Sequence, residues 1–416
     1  MVPKGWRKGR VDDLLLGLES GVSVNGEDRT LSKGEQGVLK VSAVSYGVFD
    51  PSAAKVIAPY EISRAKTSPK ANQIIISRSN TEELVGASAY IEKDYLDLFL
   101  PDKLWQTIPK PDSNMKWLSY ILASDSTRYR LSNLATGTSG SMKNITKGEL
   151  LSLRISIPPL TEQKKIAQIL STWDKAIDTS EKLLANSCQQ KKALMQQLLT
   201  GKKRLRDKNG VRFSGEWKLK KLSQICDLNP RKPAEPSDGL VSFIAMDSVS
   251  EDAKIKRQEE RKYIEVNKGF TSFIDHDVIV AKITPCFENG KGAYAEGLKN
   301  SVGFGSTEFH ILRAKQDISS KYIYYTTNTS EFRIRGEANM QGSAGQKRVT
   351  TDYLKGLKLS LPSSLGEQEK IAATLSSADR EIETLQQKLD CLKQEKKALM
   401  QQLLTGKRRV QVEEAQ

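Results

Sequence analysis

The chain contains one helix-forming segment twice, and this duplication constrains the fold more than any other feature. The letters KKALMQQLLTGK begin at Lys191 and appear unchanged at Lys396, 205 positions later. The match continues upstream at the same offset, where EQKKIAQIL from Glu162 aligns with EQEKIAATL from Glu367. Two copies are too few for a solenoid, so the repeat indicates a pseudo-dimer fused into one polypeptide.

Each copy predicts a long helix with a coiled-coil seam. Apolar residues recur in alternating steps of four and three, and polar residues fill some seam positions of the first copy. The first seam comprises Ile166, Leu170, Trp173, Ile177, Leu184, Leu194 and Leu198. The second seam comprises Ile371, Leu375, Ile382, Leu385, Leu389, Leu399 and Leu403. The sequence alone also permits two amphipathic core helices in unrelated domains.

Chain order sets the direction of the helix pair. The first helix carries the chain away from the first globular region, and the second helix begins after the second region, so paired helices must run antiparallel. We therefore predict a pseudo-two-fold α+β protein, with two mixed α/β modules joined by two long antiparallel coiled-coil helices. The predicted domains are 1–159, 160–205, 206–362 and 363–410, followed by a tail at 411–416.

The globular regions are weaker copies of each other. KWLSY from Lys116 matches KYIYY from Lys321 at the same offset, and glycine-rich stretches beginning at Gly137 and Gly342 also correspond. By contrast, Gly17–Tyr60 and Asp227–Lys268 do not align. Matching segments separated by unrelated sequence indicate two related modules that recognise different targets.

Charge favours a polyanionic partner. The net charge is +15, the isoelectric point is near 9.4, and 416 residues are ample for two cores. No run approaches the length of a membrane span, and the first residues lack a signal-peptide core. The four cysteines are scattered, which predicts reduced thiols in a cytoplasmic protein.

The residues required for several kinds of catalysis are missing from the sequence. There is no GxxxxGK[ST] loop, no GxSxG elbow, and only two histidines for a metal site. Asn229-Pro230 lacks the following proline and aromatic residue that an adenine methyltransferase places over its flipped base. Asp275, Asp277 and Lys282 lack the spacing of a metal-dependent nuclease. We expect a protein without catalytic residues or a metal site of its own.

These features together resemble the DNA-specificity subunit of type I restriction-modification enzymes. The resemblance lies in Ile155–Leu170 and its copy Leu359–Leu375, in both KKALMQQLLTGK segments, and in the GSTEF stretch Gly305–Phe309. It covers essentially the whole chain. The first module departs from the GSTEF pattern and has PDKLW from Pro101 at that place.

The resemblance implies a division of labour. Each module is expected to be a target recognition domain that binds one half of a bipartite, asymmetric DNA sequence. The helices are expected to act as a spacer and to dock two adenine methyltransferase subunits, which two restriction subunits join. S-adenosylmethionine, ATP and Mg²⁺ then belong to the partner subunits, and this chain carries no cofactor.

The glycine-rich loops are the first candidates for DNA contact, because glycines let the backbone approach a phosphate and a lysine or arginine adds charge. By the offset, Lys143 corresponds to Arg348. Arg78 and Lys282 end apolar strand-like runs and are expected to point into the DNA cleft. The remaining candidate arginines lie on a predicted helix before each glycine-rich loop. The predicted DNA-binding residues are Gly137, Gly140, Lys143, Gly342, Gly345, Lys347, Arg348, Arg78, Lys282, Arg128, Arg130, Arg333 and Arg335. Residues that contact bases are expected within Gly17–Tyr60 and Asp227–Lys268, where the modules differ.

Two other functions are compatible with the sequence. The coiled coil could belong to an interaction scaffold whose modules bind no DNA. Alternatively, the chain could be a specificity protein that serves a methyltransferase only, without a restriction subunit.

Overall fold

A computed structural model describes residues 3–137, 142–343 and 345–411. The chain divides into two compact units. The first takes the residues up to Ser180 together with those from Lys388 onward, and the second comprises Glu181–Gln387. Each unit therefore contains one globular module and one segment of each long helix.

The first unit contains two four-stranded sheets, in the orders β10-β8-β12-β2 and β11-β4-β7-β3, with three two-stranded sheets. Strand β1 pairs with β14, so the start of the module lies against its end. The strands are β1 (Arg7–Arg10), β2 (Leu15–Ser20), β3 (Gly26–Glu27), β4 (Gly37–Leu39), β5 (Val44–Ser45), β6 (Val48–Phe49), β7 (Ala54–Ile57), β8 (Ile74–Ser77), β9 (Ser79–Asn80), β10 (Ser88–Tyr90), β11 (Leu98–Phe99), β12 (Leu104–Pro109), β13 (Lys143–Asn144) and β14 (Arg154–Ile157). The helices are α1 (Met115–Ala123), α2 (Asp125–Leu134), α3 (Lys147–Leu151) and α4 (Leu160–Leu198).

The second unit also contains two four-stranded sheets, in the orders β16-β23-β20-β21 and β18-β17-β22-β19, and the pair β15-β24. The strands are β15 (Trp217–Lys221), β16 (Cys226–Leu228), β17 (Leu240–Ile244), β18 (Glu259–Lys262), β19 (Thr271–Ile274), β20 (Val278–Ala281), β21 (Gly292–Tyr294), β22 (Val302–Gly305), β23 (Phe309–Ala314) and β24 (Lys358–Pro362). The helices are α5 (Leu222–Ile225), α6 (Tyr263–Val266), α7 (Ser320–Thr327), α8 (Ser330–Glu337), α9 (Thr351–Gly356) and α10 (Leu365–Leu403).

The two modules share one arrangement of strands. The antiparallel sheet β10-β8-β12-β2 corresponds strand by strand to β21-β20-β23-β16. The second sheets also agree in part, because β4 pairs in parallel with β11 as β17 does with β22. Strands β4 and β17 lie in the regions whose sequences do not align. The modules are therefore related even where their sequences have diverged.

In the first unit, the two long-helix segments run antiparallel. Lys396 of α10 forms an ion pair with Asp174 of α4, and Leu403 lies in the same apolar cluster as Ile166 and Leu170. An early residue of one helix thus meets a late residue of the other. The cluster also contains Trp117 of α1, so the helix pair is packed onto the module core.

The second unit repeats this arrangement. Lys191 of α4 forms an ion pair with Asp379 of α10, and Leu198 shares a cluster with Ile371 and Leu375. Every predicted seam residue is buried or half-buried. The duplicated antiparallel helix pairing predicted from the heptads is confirmed within each unit.

A buried carboxylate lies in the first turn of α4. Glu162 is 1% exposed. It accepts a hydrogen bond from the Trp6 indole N–H at 2.9 Å and two from the Arg409 guanidinium at 2.7 and 2.8 Å. The start of the module, the start of α4 and the segment after α10 therefore meet at this carboxylate.

The second unit has the same buried glutamate–arginine pair at the start of α10, but the Trp217 indole N–H makes no hydrogen bond to the glutamate. Glu367 is 1% exposed and accepts hydrogen bonds from Arg204 Nε and Nη2 at 2.6 and 2.7 Å. The guanidinium carbon of Arg204 lies 6.0 Å from the ring centre of Trp217, as that of Arg409 does from Trp6. In each unit, an arginine from the segment after one long helix thus pairs with the buried glutamate at the start of the other.

His310 is buried on β23 with its ring hydrogen-bonded inside the second module. Its Nε2 lies 2.8 Å from the backbone oxygen of Val349, so Nε2 carries the proton, and Asn229 Nδ2 is 3.4 Å from Nδ1. Burial lowers the pKa of His310 from 6.5 to about 4, and the positive charge of Lys282 acts in the same direction. The hydrogen bond to Val349 and the charge of Glu308 oppose this shift.

Two absences hold for the described ranges. None of their helices combines the length and apolar character needed to cross a membrane. Nor do the described residues bring together three or more histidine, cysteine, aspartate or glutamate side chains as a possible metal site.

We predict that Glu367→Ala destabilises the second unit, because Arg204 then loses its buried partner. Loss of one partner of a buried ion pair costs about 3 kcal/mol or more. The free energy of unfolding is measured by guanidinium titration. Glu369→Ala is the control, because Glu369 is an exposed glutamate two residues further along α10. Equal losses for both variants contradict the prediction.

We also predict that acid weakens the second module through His310. Because the folded pKa lies below the unfolded one, the unfolded state binds more protons between about pH 4 and 6.5, and stability falls as pH falls through this window. The loss between pH 7 and pH 5 is about 2 kcal/mol. Unfolding midpoints for the native protein and for His310→Gln measure it. An equally steep pH dependence in His310→Gln shows that other groups are responsible.

Candidate nucleic-acid interface

In the first module, the glycine-rich loop lies beside Arg78. Strand β13 follows the loop and pairs with β9, so that Lys143 lies opposite Asn80. The Ile145 N–H then donates to the Arg78 carbonyl at 2.9 Å. The structure therefore brings together two sets of residues that the sequence analysis predicted separately. The predicted Gly140 lies outside the described residues.

The second module forms the same junction. The Val349 N–H donates to the Lys282 carbonyl at 3.0 Å, and the Thr284 N–H donates to the Lys347 carbonyl at 2.9 Å. Backbone hydrogen bonds in both directions between Gln341 and Arg348, at 2.9 and 2.8 Å, close the base of the loop.

These hydrogen bonds correct the predicted correspondence between the loops. Ile145 and Val349 occupy the same place, and they are 204 positions apart in the sequence. Lys143 therefore corresponds to Lys347, and Asn144 corresponds to Arg348. The second loop is one residue shorter, so the constant offset of 205 paired Lys143 with the wrong residue.

The first glycine of each loop is required by the backbone. Gly137 and Gly342 have φ angles of 148° and 129°, where other residues are strained. A Cβ atom at Gly137 would lie 2.4 Å from the Met142 carbonyl oxygen, and one at Gly342 would lie 2.7 Å from that of Gln346. Both glycines therefore permit the loop to fold back on itself.

Two of the predicted basic residues hold the strand junction beneath the loop. Arg78 donates from Nε to the Asp102 carbonyl at 2.8 Å and pairs with its carboxylate at 3.0 Å. Lys282 Nζ donates to the Thr307 carbonyl at 2.7 Å. Burial lowers the pKa of Lys282. Both side chains thus fix the segment that enters the β12 or β23 strand.

Arg348 is bound by a carboxylate, whereas its neighbour Lys347 is exposed. The Arg348 guanidinium makes hydrogen bonds of 2.8 to 3.1 Å to both carboxylate oxygens of Glu308. These bonds hold the pKa of Glu308 below its usual range. Lys143 is half-exposed and its Nζ lies 3.3 Å from the Gly137 carbonyl oxygen. Lys143 and Lys347 are therefore the matched cations of the two loops.

The four helix arginines divide into two pairs. Arg128 and Arg333 are each 8% exposed and donate to backbone carbonyls inside their modules, including those of Val85 and Phe287. They hold the fold together, and we do not include them in the interface proposed below. Arg130 is exposed and Arg335 is half-buried, and they reach the carbonyls that begin β14 and β24.

The sequence analysis missed two sets of residues that join modules to helices. The first set comprises Arg204 and Arg409, described above. The second comprises Tyr120 and Tyr325, which donate hydrogen bonds to Asp174 and Asp379 of the long helices. Identity at the 205-residue offset was the available signal for both sets, because each pair has the same residue type at both positions.

Comparisons with known proteins give one result for both modules. A model of the type I restriction modification DNA specificity domain matches residues 3–186 and 214–394. The EcoAI specificity subunit of Escherichia coli is 39% identical over 157 residues, which make up 37% of this chain and 26% of that protein. The chain thus matches about a quarter of the length of that relative and of the EcoEI subunit.

Two further proteins are similar over nearly the whole chain. The putative MjaX specificity subunit of Methanocaldococcus jannaschii is 23% identical over 433 aligned positions, covering 98% of this chain and 95% of that protein. The crystal structure of a type I S subunit from M. genitalium has the same fold, with a TM-score of 0.59 at 15% identity, and covers 97% of this chain and 99% of that one. Because the family model matches both modules together with large parts of both long helices, the chain belongs to the type I restriction modification DNA specificity family and contains its domain twice.

Proposed function

We propose that the chain is the sequence-specific DNA-binding subunit of a type I restriction-modification complex. Each module binds one half of a bipartite, asymmetric target. The observation that carries the proposal is a duplicated junction of a glycine-rich loop, a loop lysine and a strand end. It occurs in two modules that differ in sequence elsewhere. The common part suits the DNA backbone, which is the same at both half-sites.

Lys143 and Lys347 are the proposed phosphate contacts. Their loops offer backbone N–H donors at Gly137, Gly342 and Gly345, and phosphates accept hydrogen bonds from such groups. A net charge of +15 supports a backbone contact of this kind. Arg78 and Lys282 position the loops from below. The side chains that distinguish bases lie in the divergent regions 17–60 and 227–268.

The long helices are the proposed docking surface for two identical adenine methyltransferase subunits. Identical partners require similar faces, which accounts for the unchanged KKALMQQLLTGK segments. In the first unit, an open groove of about 1440 Å³ between α4 and α10 is lined by Ile169, Trp173 and Leu399 together with basic residues. The residues equivalent to this groove lining differ in the second unit, where Thr374 and Ala378 occupy the positions of Ile169 and Trp173. S-adenosylmethionine, ATP and Mg²⁺ bind to the methyltransferase and restriction subunits.

Selection of duplexes from a random pool tests the proposal. The chain is purified with a methyltransferase subunit, and bound DNA is sequenced. The expected result is one motif with two defined halves and a gap of constant length. Substitutions within 227–268 are expected to change one half and leave the other intact. Binding to DNA without sequence preference contradicts the proposal. Salt-insensitive association with protein partners, without DNA binding, favours the interaction scaffold.

We predict that Lys143→Ala and Lys347→Ala weaken binding to all sequences alike. Each lysine that neutralises a phosphate releases a counterion, so each variant lowers the slope of log K against log salt by about one. Titrations at several salt concentrations measure this slope. Lys208→Ala is the control, because Lys208 is exposed in a turn between α4 and the second module. An unchanged slope in both loop variants removes the loops from the interface.

A further inference from the structure

Each module is fixed to the long helices by a duplicated set of four polar side chains. In the first unit, the Tyr120 hydroxyl donates to Asp174 Oδ2 and lies 3.2 Å from Ser171 Oγ. The other oxygen of Asp174 accepts from Lys396 Nζ. The lysine also lies 5.6 Å from the centre of the Tyr120 ring. We call this set of residues the first clamp.

The second clamp repeats these contacts with the same residue types. The Tyr325 hydroxyl donates to Asp379 Oδ2 at 2.6 Å and lies 3.0 Å from Ser376 Oγ. Lys191 pairs with Asp379 Oδ1 and lies 5.9 Å from the Tyr325 ring centre. Each clamp therefore joins three elements: a module helix, the long helix that follows that module, and the other long helix.

The clamp tyrosines are buried and remain hydrogen-bond donors. Tyr120 is 6% exposed and Tyr325 is 3% exposed. Burial, together with the hydrogen bond to the aspartate, raises the pKa of both tyrosines. Hydrogen bonds between such hydroxyls and a charged carboxylate are stronger than those between neutral groups. The contact is consequently suited to hold the module helix in one orientation.

A second contact lies near the start of each long helix. The Asn114 N–H donates to Gln163 Oε1 at 3.1 Å, and the Ser319 N–H donates to Gln368 Oε1 at 2.9 Å. Gln163 and Asp174 are separated by about 16 Å along α4 at 1.5 Å per residue. The apolar cluster that contains Trp117 packs α1 against the long helices. The two polar contacts add directional constraints at two separate points, which favours one angle between the module helix and the long helix.

The clamps recur in both units, as the Arg204–Glu367 and Arg409–Glu162 pairs do, whereas two other ion pairs between modules and helices do not. Lys397 pairs with Asp125 in the first unit, and Lys254 pairs with Glu383 in the second, and neither pair recurs in the other unit. The clamps recur with every residue type unchanged, although the modules differ in much of their sequence. Their role is thus common to both modules and independent of the DNA sequence that each one binds.

We propose that the two clamps are positioning devices that set the angle of each module on the helix pair and thereby fix the gap accepted between the two half-sites. This inference rests on the proposed function. A module held at one angle presents its loop lysine at one place along the DNA. Loss of the clamp lets the module tilt, so that targets with a gap one base pair too long or too short become acceptable.

The test uses the complete chain with its methyltransferase partner and duplexes whose gap is the preferred length or differs by one base pair. The double variant Tyr120→Phe, Tyr325→Phe is expected to bind the preferred target with little change. Its discrimination against the wrong gaps is expected to fall about tenfold, which corresponds to 1.4 kcal/mol. Tyr324→Phe is the control, since it removes a hydrogen bond of 3.2 Å to Ala253 within the second module and leaves the clamp in place.

Four outcomes decide the inference. Unchanged gap discrimination in the double variant, or an equal loss in Tyr324→Phe, contradicts the proposed role of the clamps. Neither result affects the proposed function. Relaxed discrimination in the double variant alone supports them. A native complex that needs no second half-site overturns the proposed function and the clamps with it.

A second variant covers the case in which the double variant does not fold. Asp174→Asn with Asp379→Asn keeps an acceptor for each tyrosine and removes the ion pair with the lysine. Its expected loss of gap discrimination is smaller, about threefold, because half-exposed ion pairs contribute little. Thermal unfolding of each complex shows whether it is folded. Unchanged discrimination in a folded variant of this kind again overturns the inference.

Discussion

A carboxylate that is removed from water needs a cation beside it, because the cost of desolvation is several kcal/mol per ion. Glu162 and Glu367 can therefore occupy the starts of the long helices only when Arg409 and Arg204 reach them. In the first unit, this requirement draws the segment after α10 to the beginning of the module, where Trp6 is the third partner. The next residue of each long helix, Gln163 or Gln368, accepts a hydrogen bond from the residue that precedes α1 or α7. The buried ion pair and the contact with the module helix therefore lie in the same turn.

The long helices were predictable because a heptad pattern indicates both a helix and its packing against another helix of the same kind. The apolar steps gave Leu160–Leu198 and Leu365–Leu403 to within a few residues at their starts, and chain order gave the antiparallel direction. The loop register was not predictable in the same way. Lys347 and Arg348 are both basic, so a constant offset could not reveal that the second loop is one residue shorter. The hydrogen bonds from Val349 to Lys282 and from Ile145 to Arg78 identify Lys347 as the counterpart of Lys143.

The sequence also did not show which charged side chains are buried in the modules. Arg128 and Arg333 resemble surface arginines in the sequence, because α2 and α8 carry several polar residues. Their guanidinium groups instead donate to backbone carbonyls that are distant in the chain. Identity at equivalent positions was a signal for such roles. Two modules whose sequences have diverged keep the same residue where their shared fold requires it, as they do at Tyr120 and Tyr325.

The division of the chain between the two units also affects folding during synthesis. The second unit is one continuous stretch, Glu181–Gln387, whereas the first needs residues from Lys388 onward. Domains of a nascent chain generally fold as units, beginning with the earliest complete one. Here the module that leaves the ribosome first must wait for Leu403 and Arg409 before the apolar cluster around Ile166 and the ion pair of Glu162 are complete. The second unit can close earlier, so an interrupted synthesis leaves the earlier-made module open and exposed to proteases.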